Sequence, residues 1–262
     1  MYPLLLKIGP VPIYSYGLLI AIGFLVGIKI VQKQAMRVGK SPEVYVDAAF
    51  WALFSGFLGA RILFIITRWS DYQNDLMGIL RVWEGGFVFY GGLLLAVPVL
   101  GFYFRRHKIA IWPALDIMTP GLTVAHAFGR LGCFMAGCCY GRPTDVPWSV
   151  RLDSPLVDVH LRGIPLHPAQ LYEAVAMFIV TIGLMLVFNR KKFDGQVVLV
   201  YLVAYPPIRS IVEEFRGDTI RGFVIDDVLS TSQFVSIFVF LLALGLLFYR
   251  LKQLRAGSSS RA

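Results

Sequence analysis

Residues 230–249 read STSQFVSIFVFLLALGLLFY, and none of them carries a charge. At 1.5 Å rise per residue, about 20 apolar residues of helix cross a bilayer core about 30 Å thick. This stretch meets that length and exceeds that of a buried strand. The pattern recurs along the chain, at approximately Tyr14–Val31, Val44–Ile66, Phe87–Phe104, Ile109–Cys139, Pro168–Phe188 and Val197–Phe215. The expected fold is therefore an all-α integral membrane protein of about seven transmembrane helices. A barrel is excluded, since its strands alternate over about ten residues. Pro113 and Pro120 punctuate the fourth span and Pro206-Pro207 the sixth, so the fourth is expected to bend or break and the sixth to kink. Composition agrees. The chain is 57% hydrophobic and 16% charged, with mean hydropathy +0.67, against about 45–50% and about 25% in soluble domains. A soluble enzyme and a disordered chain are both excluded.

The net charge of +9 raises the question of an anionic partner. The basic residues lie between apolar runs rather than on one patch, which argues against nucleic acid. Of 25 Lys and Arg, 14 fall after spans one, three and five or in the C-terminal tail, and eight fall on the opposite side. By the positive-inside rule this bias places the N-terminus outside and the C-terminus inside. The first span is too long, and wrongly flanked, for a cleaved signal peptide. Met1–Pro12 reads as a short amphipathic surface segment. The expected organisation is one polytopic membrane domain, residues 1–250, with a cytoplasmic polar tail, residues 251–262.

Ionisable residues inside spans cost a few kcal/mol and face a bundle interior or a wet cavity. They are Asp47, Arg61, Asp116, His126, Arg130, Glu173, Arg209 and Glu213, with His167 at an edge. Internal ion pairs that fix helix packing are one reading. The other is a phosphate site, because the arginine fork offers bidentate donors and stays charged. Three stretches sharpen the second. Residues 129–144, GRLGCFMAGCCYGRPT, combine four glycines, among them Gly132 and Gly141, with Arg130 and Arg142. Glycines at that density allow close backbone approach. Residues 167–173, HPAQLYE, open span five with Pro168 at a tolerated first-turn position and set Gln170 and Glu173 on one face. Residues 209–218, RSIVEEFRGD, pair Arg209 with Glu213 at i, i+4, with Arg216 beyond.

Cys133, Cys138 and Cys139 admit inert packing, a disulfide that leaves one thiol, or metal chemistry. A metal site would need more ligands, and no CxxC spacing exists.

Together these stretches resemble the bacterial prolipoprotein diacylglyceryl transferases, in order and over nearly the whole chain. Ile8-Gly9-Pro10-Val11 with Tyr16-Gly17, Gly59-Ala60-Arg61, Gly85-Gly86 with Gly91-Gly92, His167 through Glu173 and Arg209 through Asp218 fall where that family has similar stretches. Residues 129–141 match its signature G-R-x-G-N-F-x-N-x-E-x-x-G, with Cys133, Ala136 and Cys138 in place of Asn, Asn and Glu. Tyr90 stands where the family has histidine.

The resemblance implies a bacterial inner-membrane enzyme with its active site toward the periplasmic leaflet. It would transfer the diacylglyceryl group of phosphatidylglycerol to the lipobox cysteine of a prolipoprotein, forming a thioether and releasing glycerol phosphate. Arg130 and Arg209 would clamp the phosphodiester. Arg61, Arg142, His167, Gln170, Glu173, Glu213, Arg216, Gly132 and Gly141 would bind substrate. The thiol must lose a proton. His126 or His167 would take it, or the arginine field would acidify the thiol, with the Tyr90 hydroxyl orienting substrate. No metal, nucleotide or redox cofactor is expected, for no phosphate-loop or dinucleotide fingerprint appears. The competing classes are a lipid transferase with another acceptor, a small anion or lipid transporter lined by arginines, and a membrane redox or metal protein built on the Cys–His cluster.

Overall fold

The structure, a computed structural model, describes residues 4–8, 11–81, 85–217, 223–225 and 229–259. It is mostly helical. A hairpin of β1 (Leu4–Ile8) and β2 (Val11–Tyr14) leads into α1 (Ser15–Arg37). Then come α2 (Pro42–Thr67), the one-turn α3 (Trp69–Tyr72), α4 (Phe89–Arg106) and α5 (Ile111–Ala136). Strands β3 (Val150–Arg151) and β4 (Pro165–Leu166) pair antiparallel before α6 (Ala169–Arg190) and α7 (Gln196–Glu214). A short pair, β5 (Phe223–Ile225) and β6 (Leu229–Ser230), precedes α8 (Thr231–Ser259).

Among the described residues, seven long helices overlie the seven apolar segments to within a few residues at most ends. Three differences stand out. The N-terminal surface segment is a β-hairpin with Leu4, Leu5 and Leu6 exposed. The last helix continues past Tyr249 to Ser259. Helix α5 runs unbroken through Pro120, against the expectation of a bend or break there, and α7 likewise continues through Pro206 and Pro207. Among the described residues, four helices, Ser15–Arg37, Pro42–Thr67, Ala169–Arg190 and Thr231–Leu254, are long and apolar enough to cross a membrane.

Helix α6 shows why these helices suit lipid. Val175, Ile179, Ile182 and Leu186 form an exposed aliphatic stripe, each about 60% accessible. The stripe of Gln170, Glu173, Met177, Thr181, Leu184 and Phe188 is buried. The polar residues thus sit inside and the purely apolar face points out, the reverse of a helix on a soluble domain.

The chain divides into two compact units, Met1–Ile30 with Leu115–Ala262, and Val31–Ala114. In the smaller unit α2 packs on α4 through glycines. A Cβ on Gly91 would collide with the Gly59 carbonyl, and one on Gly92 would lie 2.7 Å from the Gly56 carbonyl oxygen. Gly91-Gly92 is therefore a helix-packing motif, of the small-residue kind that lets backbones touch in membranes. In the larger unit the same device joins α1 to α5, where a Cβ on Gly27 would lie 2.7 Å from the Gly121 carbonyl oxygen.

Asp116, one of the ionisable residues inside spans, turns out to cap a neighbouring helix. Its carboxylate is fully buried and accepts from the backbone N–H groups of Gly195 (2.8 Å), Val197 (2.9 Å) and Val198 (3.2 Å). These are donors that the start of α7 leaves unsatisfied. Lys191 completes the shell at 3.0 Å and also binds Asp194 at 2.8 Å.

Candidate active site

Helix α5 ends in a Schellman turn. Gly137, at φ +81°, donates to the Cys133 carbonyl at 2.9 Å, and Cys138 donates to the same carbonyl at 3.1 Å. This termination brings the residue after the glycine back over the helix's last turn. The two residues so apposed are Cys138 and Cys133. Cys139 follows, itself left-handed at φ +58°, a conformation that costs a non-glycine residue free energy. The three thiols are free, and their sulfurs lie within 4.8 Å of one another. They are the three-residue group of potential metal ligands among the described residues.

One turn before Cys133, Arg130 points into an interior shared by α5, α6 and α7. Its Nε lies 3.0 Å from Oε2 of Glu173, whose side chain is 2% exposed. The other carboxylate oxygen takes His126 Nε2 at 3.2 Å and the Tyr205 hydroxyl at 3.4 Å. The His126 and Tyr205 rings meet edge-on at 5.4 Å, and Tyr201 stacks on Tyr205 at 5.7 Å. Glu173 thus gathers an arginine, a histidine and a tyrosine from two other helices, and the charge of Arg209 acts on it as well. Arg209 pairs with Glu213 at 2.5 Å, as their i, i+4 spacing predicts. Arg209 Nη1 is buried with no hydrogen-bond partner among the described residues, a donor left over for an anion.

The connection after Cys139 is clamped from two sides. Gly141 donates to the His167 carbonyl at 3.1 Å, His167 to the Arg142 carbonyl at 3.0 Å, and Arg142 to the Phe215 carbonyl at 2.9 Å. A Cβ on Gly141 would overlap the His167 backbone, and one on Gly217 would lie 2.7 Å from the Gly141 oxygen. Gly141 is thus a close-approach position where α6 begins and α7 ends. It lies across a bridge from Arg216. Gly132 has a similar role, since a Cβ there would come 2.9 Å from the Tyr16 ring. Gln170 donates to the Cys138 carbonyl at 2.7 Å and fixes the cysteine turn to α6.

Beside this clamp lies an apolar groove of about 620 Å³, lined by Val146, Ala176, Ile208, Ile211, Val212 and Phe215 with Trp148, His167 and Tyr172. The Tyr172 hydroxyl accepts from Trp148 Nε1 at 2.7 Å and sits 3.1 Å from His167 Nδ1. Burial, and then the positive charge of Arg142, hold the His167 imidazole below its ordinary pKa.

Two sequence-chosen residues belong to the smaller unit. Arg61 is buried, and its guanidinium donates to the carbonyls of Gly78 (3.0 Å), Ile79 (3.2 and 3.3 Å), Arg81 (3.4 Å), Gly85 (2.5 Å) and Gly86 (3.3 Å). It also lies over the rings of Phe64 and Tyr72 at 5.8 and 5.6 Å. Gly85 and Gly86 adopt φ +84° and +81°, open to glycine without strain. Tyr90, in the first turn of α4, is 41% exposed and meets Phe89 edge-on.

The larger unit thus brings together Arg130, His126 and Glu173. It places Arg209 with Glu213 on α7, and His167, Arg142, Gly141 and Arg216 in the clamp. Tyr205, Tyr201, Tyr172 and Trp148 were not singled out by the sequence. The i, i+4 repeat of Tyr201 and Tyr205 within an apolar span was a usable signal for the first two.

The family model described as prolipoprotein diacylglyceryl transferase matches residues 3–249. A relative from Clostridium perfringens, named phosphatidylglycerol–prolipoprotein diacylglyceryl transferase 2, is 34% identical over 93% of this chain and 92% of its own. The Clostridium tetani transferase is also 34% identical, over 93% and 96%. The Synechococcus elongatus one is 31% identical over 83% and 78%.

Proposed function

The chain belongs to the prolipoprotein diacylglyceryl transferase family, and from that premise we propose that it moves the diacylglyceryl group of phosphatidylglycerol onto a prolipoprotein lipobox cysteine. The thiol sulfur attacks the glyceryl carbon, a C–S bond forms, the C–O bond to phosphate breaks, and glycerol phosphate departs. The proposal places seven crossings in a bacterial inner membrane, N-terminus out, with the site toward the outer leaflet. It treats residues 1–250 as one membrane domain with residues 251–262 cytoplasmic.

The observation that carries the reading is the buried arginine arrangement. Glu173 takes Arg130 at Nε, which leaves the Nη1/Nη2 edge for two phosphate oxygens. Arg209 contributes Nη1, which has no hydrogen-bond partner among the described residues. Two fixed cations in a water-poor interior stabilise the charge that builds on the leaving phosphate, at no reorganisation cost. Glu173 also orients His126, the arrangement of a carboxylate-held general base that accepts the thiol proton. The apolar groove walled by Ile208, Ile211 and Val212 of α7 and by Phe215 takes an acyl chain, and Gln170, Arg142 and Arg216 frame the acceptor's approach. A transporter reading loses support, because Arg61 spends its donors on backbone carbonyls rather than lining a path.

The test is incubation of the purified chain with phosphatidylglycerol vesicles and a lipobox peptide, followed by peptide mass. The peptide should gain one diacylglyceryl group, and Arg130→Ala should abolish the gain while the protein still inserts. An unmodified peptide with folded wild-type protein would sink the reading. Normal turnover by the Arg130→Ala variant would return Arg130 to a structural role.

A further inference from the structure

We propose that Cys133, Cys138 and Cys139 bind a zinc ion whose fourth position receives the acceptor thiol as a thiolate. The role rests on the transferase reading above; the site itself does not.

Three observations carry it. The first is geometric. Zinc binds thiolates at about 2.3 Å, so the edges of a tetrahedral site are about 3.8 Å. The three sulfurs already lie within 4.8 Å of one another, so closure around an ion needs shifts of an ångström or less. The Schellman turn at Gly137 sets Cys138 over Cys133, and the left-handed Cys139 completes the triangle. The second is electrostatic. Three thiolates around a dication leave one net negative charge, and the charges of Arg130 and Arg216 both act on Cys139. Cationic surroundings favour thiolates. The third is chemical position. Cys133 lies one helical turn beyond Arg130, about 4.5 Å along the axis, so a sulfur on the zinc stands beside a phosphodiester held by that arginine. Gln170, 1% exposed and bonded to the Cys138 carbonyl, keeps a buried Oε1 with no partner among the described residues, an acceptor for a zinc-bound water.

Three protein ligands with an open fourth position is the pattern of a reactive zinc site, and a thiol that coordinates the ion is deprotonated outright. The acceptor cysteine displaces the bound water and binds as thiolate, its proton leaving through water to His126 or to bulk. The zinc-held sulfur attacks the glyceryl carbon, and the thioether, a poorer ligand, leaves the ion as glycerol phosphate departs. No redox change occurs. Spacing alone had argued against a metal here; the folded turn supplies the convergence that a CxxC motif would otherwise announce.

The experiment uses the full chain, purified in detergent under reducing, oxygen-free conditions. Elemental analysis should find about one zinc per chain, with the three cysteines protected from alkylation until a chelator is added. Cys139→Ser should lose the zinc. Cys138→Ser is the second variant should the first fail to fold. With Co2+ substituted for zinc, the thiolate-to-metal absorption should shift on addition of a lipobox peptide, and not with its Cys→Ser counterpart. Freely alkylated thiols without zinc, or a disulfide from Cys133 to either neighbour, overturn the site. Bound zinc with a Co2+ spectrum blind to the peptide, and unchanged transfer by chelated protein, overturns the thiol-activating role. A responsive site with no thioether formed from phosphatidylglycerol leaves the zinc assignment standing and refutes the transferase reading instead.

Discussion

Asp116→Asn isolates the cap on α7. In the native protein Oδ1 accepts from Val197 and Val198, while Oδ2 accepts from Gly195 at 2.8 Å and Lys191 at 3.0 Å. The best-placed asparagine keeps its oxygen at Oδ1, which turns its NH2 group toward two donors. The Gly195 N–H is then buried and unsatisfied, at about 1–3 kcal/mol, and a bond to a charged group worth about 1.5–3 kcal/mol is lost. Lys191 retains Asp194 and a side chain that is 17% exposed, so the lower half of the summed range applies, about 3 kcal/mol. In a chain of this size that lowers the apparent unfolding midpoint by roughly 6–12 °C. Tryptophan fluorescence of the purified protein on heating reads it. Lys191→Met leaves Asp116 its three N–H donors and should cost about half as much. A midpoint for Asp116→Asn within about 2 °C of wild type, or a larger loss from Lys191→Met, refutes the reasoning. Transfer per folded molecule should be unchanged, for the carboxylate lies at the opposite end of α5 from Arg130.

Glu173→Gln removes the charge that Arg130 and His126 share while keeping the volume; we expect transfer to fall by at least about 100-fold, the scale of losing one oriented acid–base or oxyanion group, with insertion intact, and near-normal turnover would remove Glu173 from the machinery. Arg61→Lys cannot reach five carbonyls from one ammonium, so the backbone at residues 78–81 and 85–86 should become protease-sensitive, whereas an unchanged cleavage pattern in limited proteolysis contradicts its bracing role. His167 is held below its ordinary pKa, so as pH falls through about 6.5 the unfolded chain takes up a proton that the folded one does not, and stability is lost on acidification. Melting midpoints from pH 8 to 5 should therefore fall more steeply in wild type than in His167→Gln; parallel curves would show that this imidazole has no such penalty.

The helices were legible because an apolar run of bilayer length has few other uses. What the runs did not reveal is how each intramembrane charge is satisfied. Arg209 with Glu213 was legible from its i, i+4 spacing; Arg130 and Glu173 stood out as residue types, and the structure supplies their pairing between helices. Arg61 and Asp116 looked equivalent to them in the sequence, yet both are satisfied mainly by backbone carbonyls or N–H groups. A backbone partner carries no residue identity, so no pattern announces it. The cysteines were opaque for a related reason. Their convergence depends on two left-handed residues, and only Gly137 hints at one.

That difference in partners separates structure from chemistry in this chain. A buried ion saturated by backbone dipoles has no capacity left and can move only by unfolding a connection; Arg61 and Asp116 are of this kind. The ions around Glu173 are held by other side chains, and Arg209 keeps a buried donor with no partner among the described residues. Such groups can exchange an internal partner for a phosphate oxygen without a change of fold, because the donor is already desolvated and aimed. An arginine that is half satisfied before substrate arrives binds the anion more weakly than a naked one. It stays folded in the anion's absence, and in the proposed mechanism its Nη edge faces the leaving phosphate while Glu173 keeps Nε. In that mechanism the carboxylate is a positioning partner, holding the arginine and His126 in place as charge builds on the phosphate. Glu173→Gln should accordingly lower turnover more than it weakens phosphatidylglycerol binding, and a variant that loses lipid binding and turnover equally would show the carboxylate to be only a scaffold.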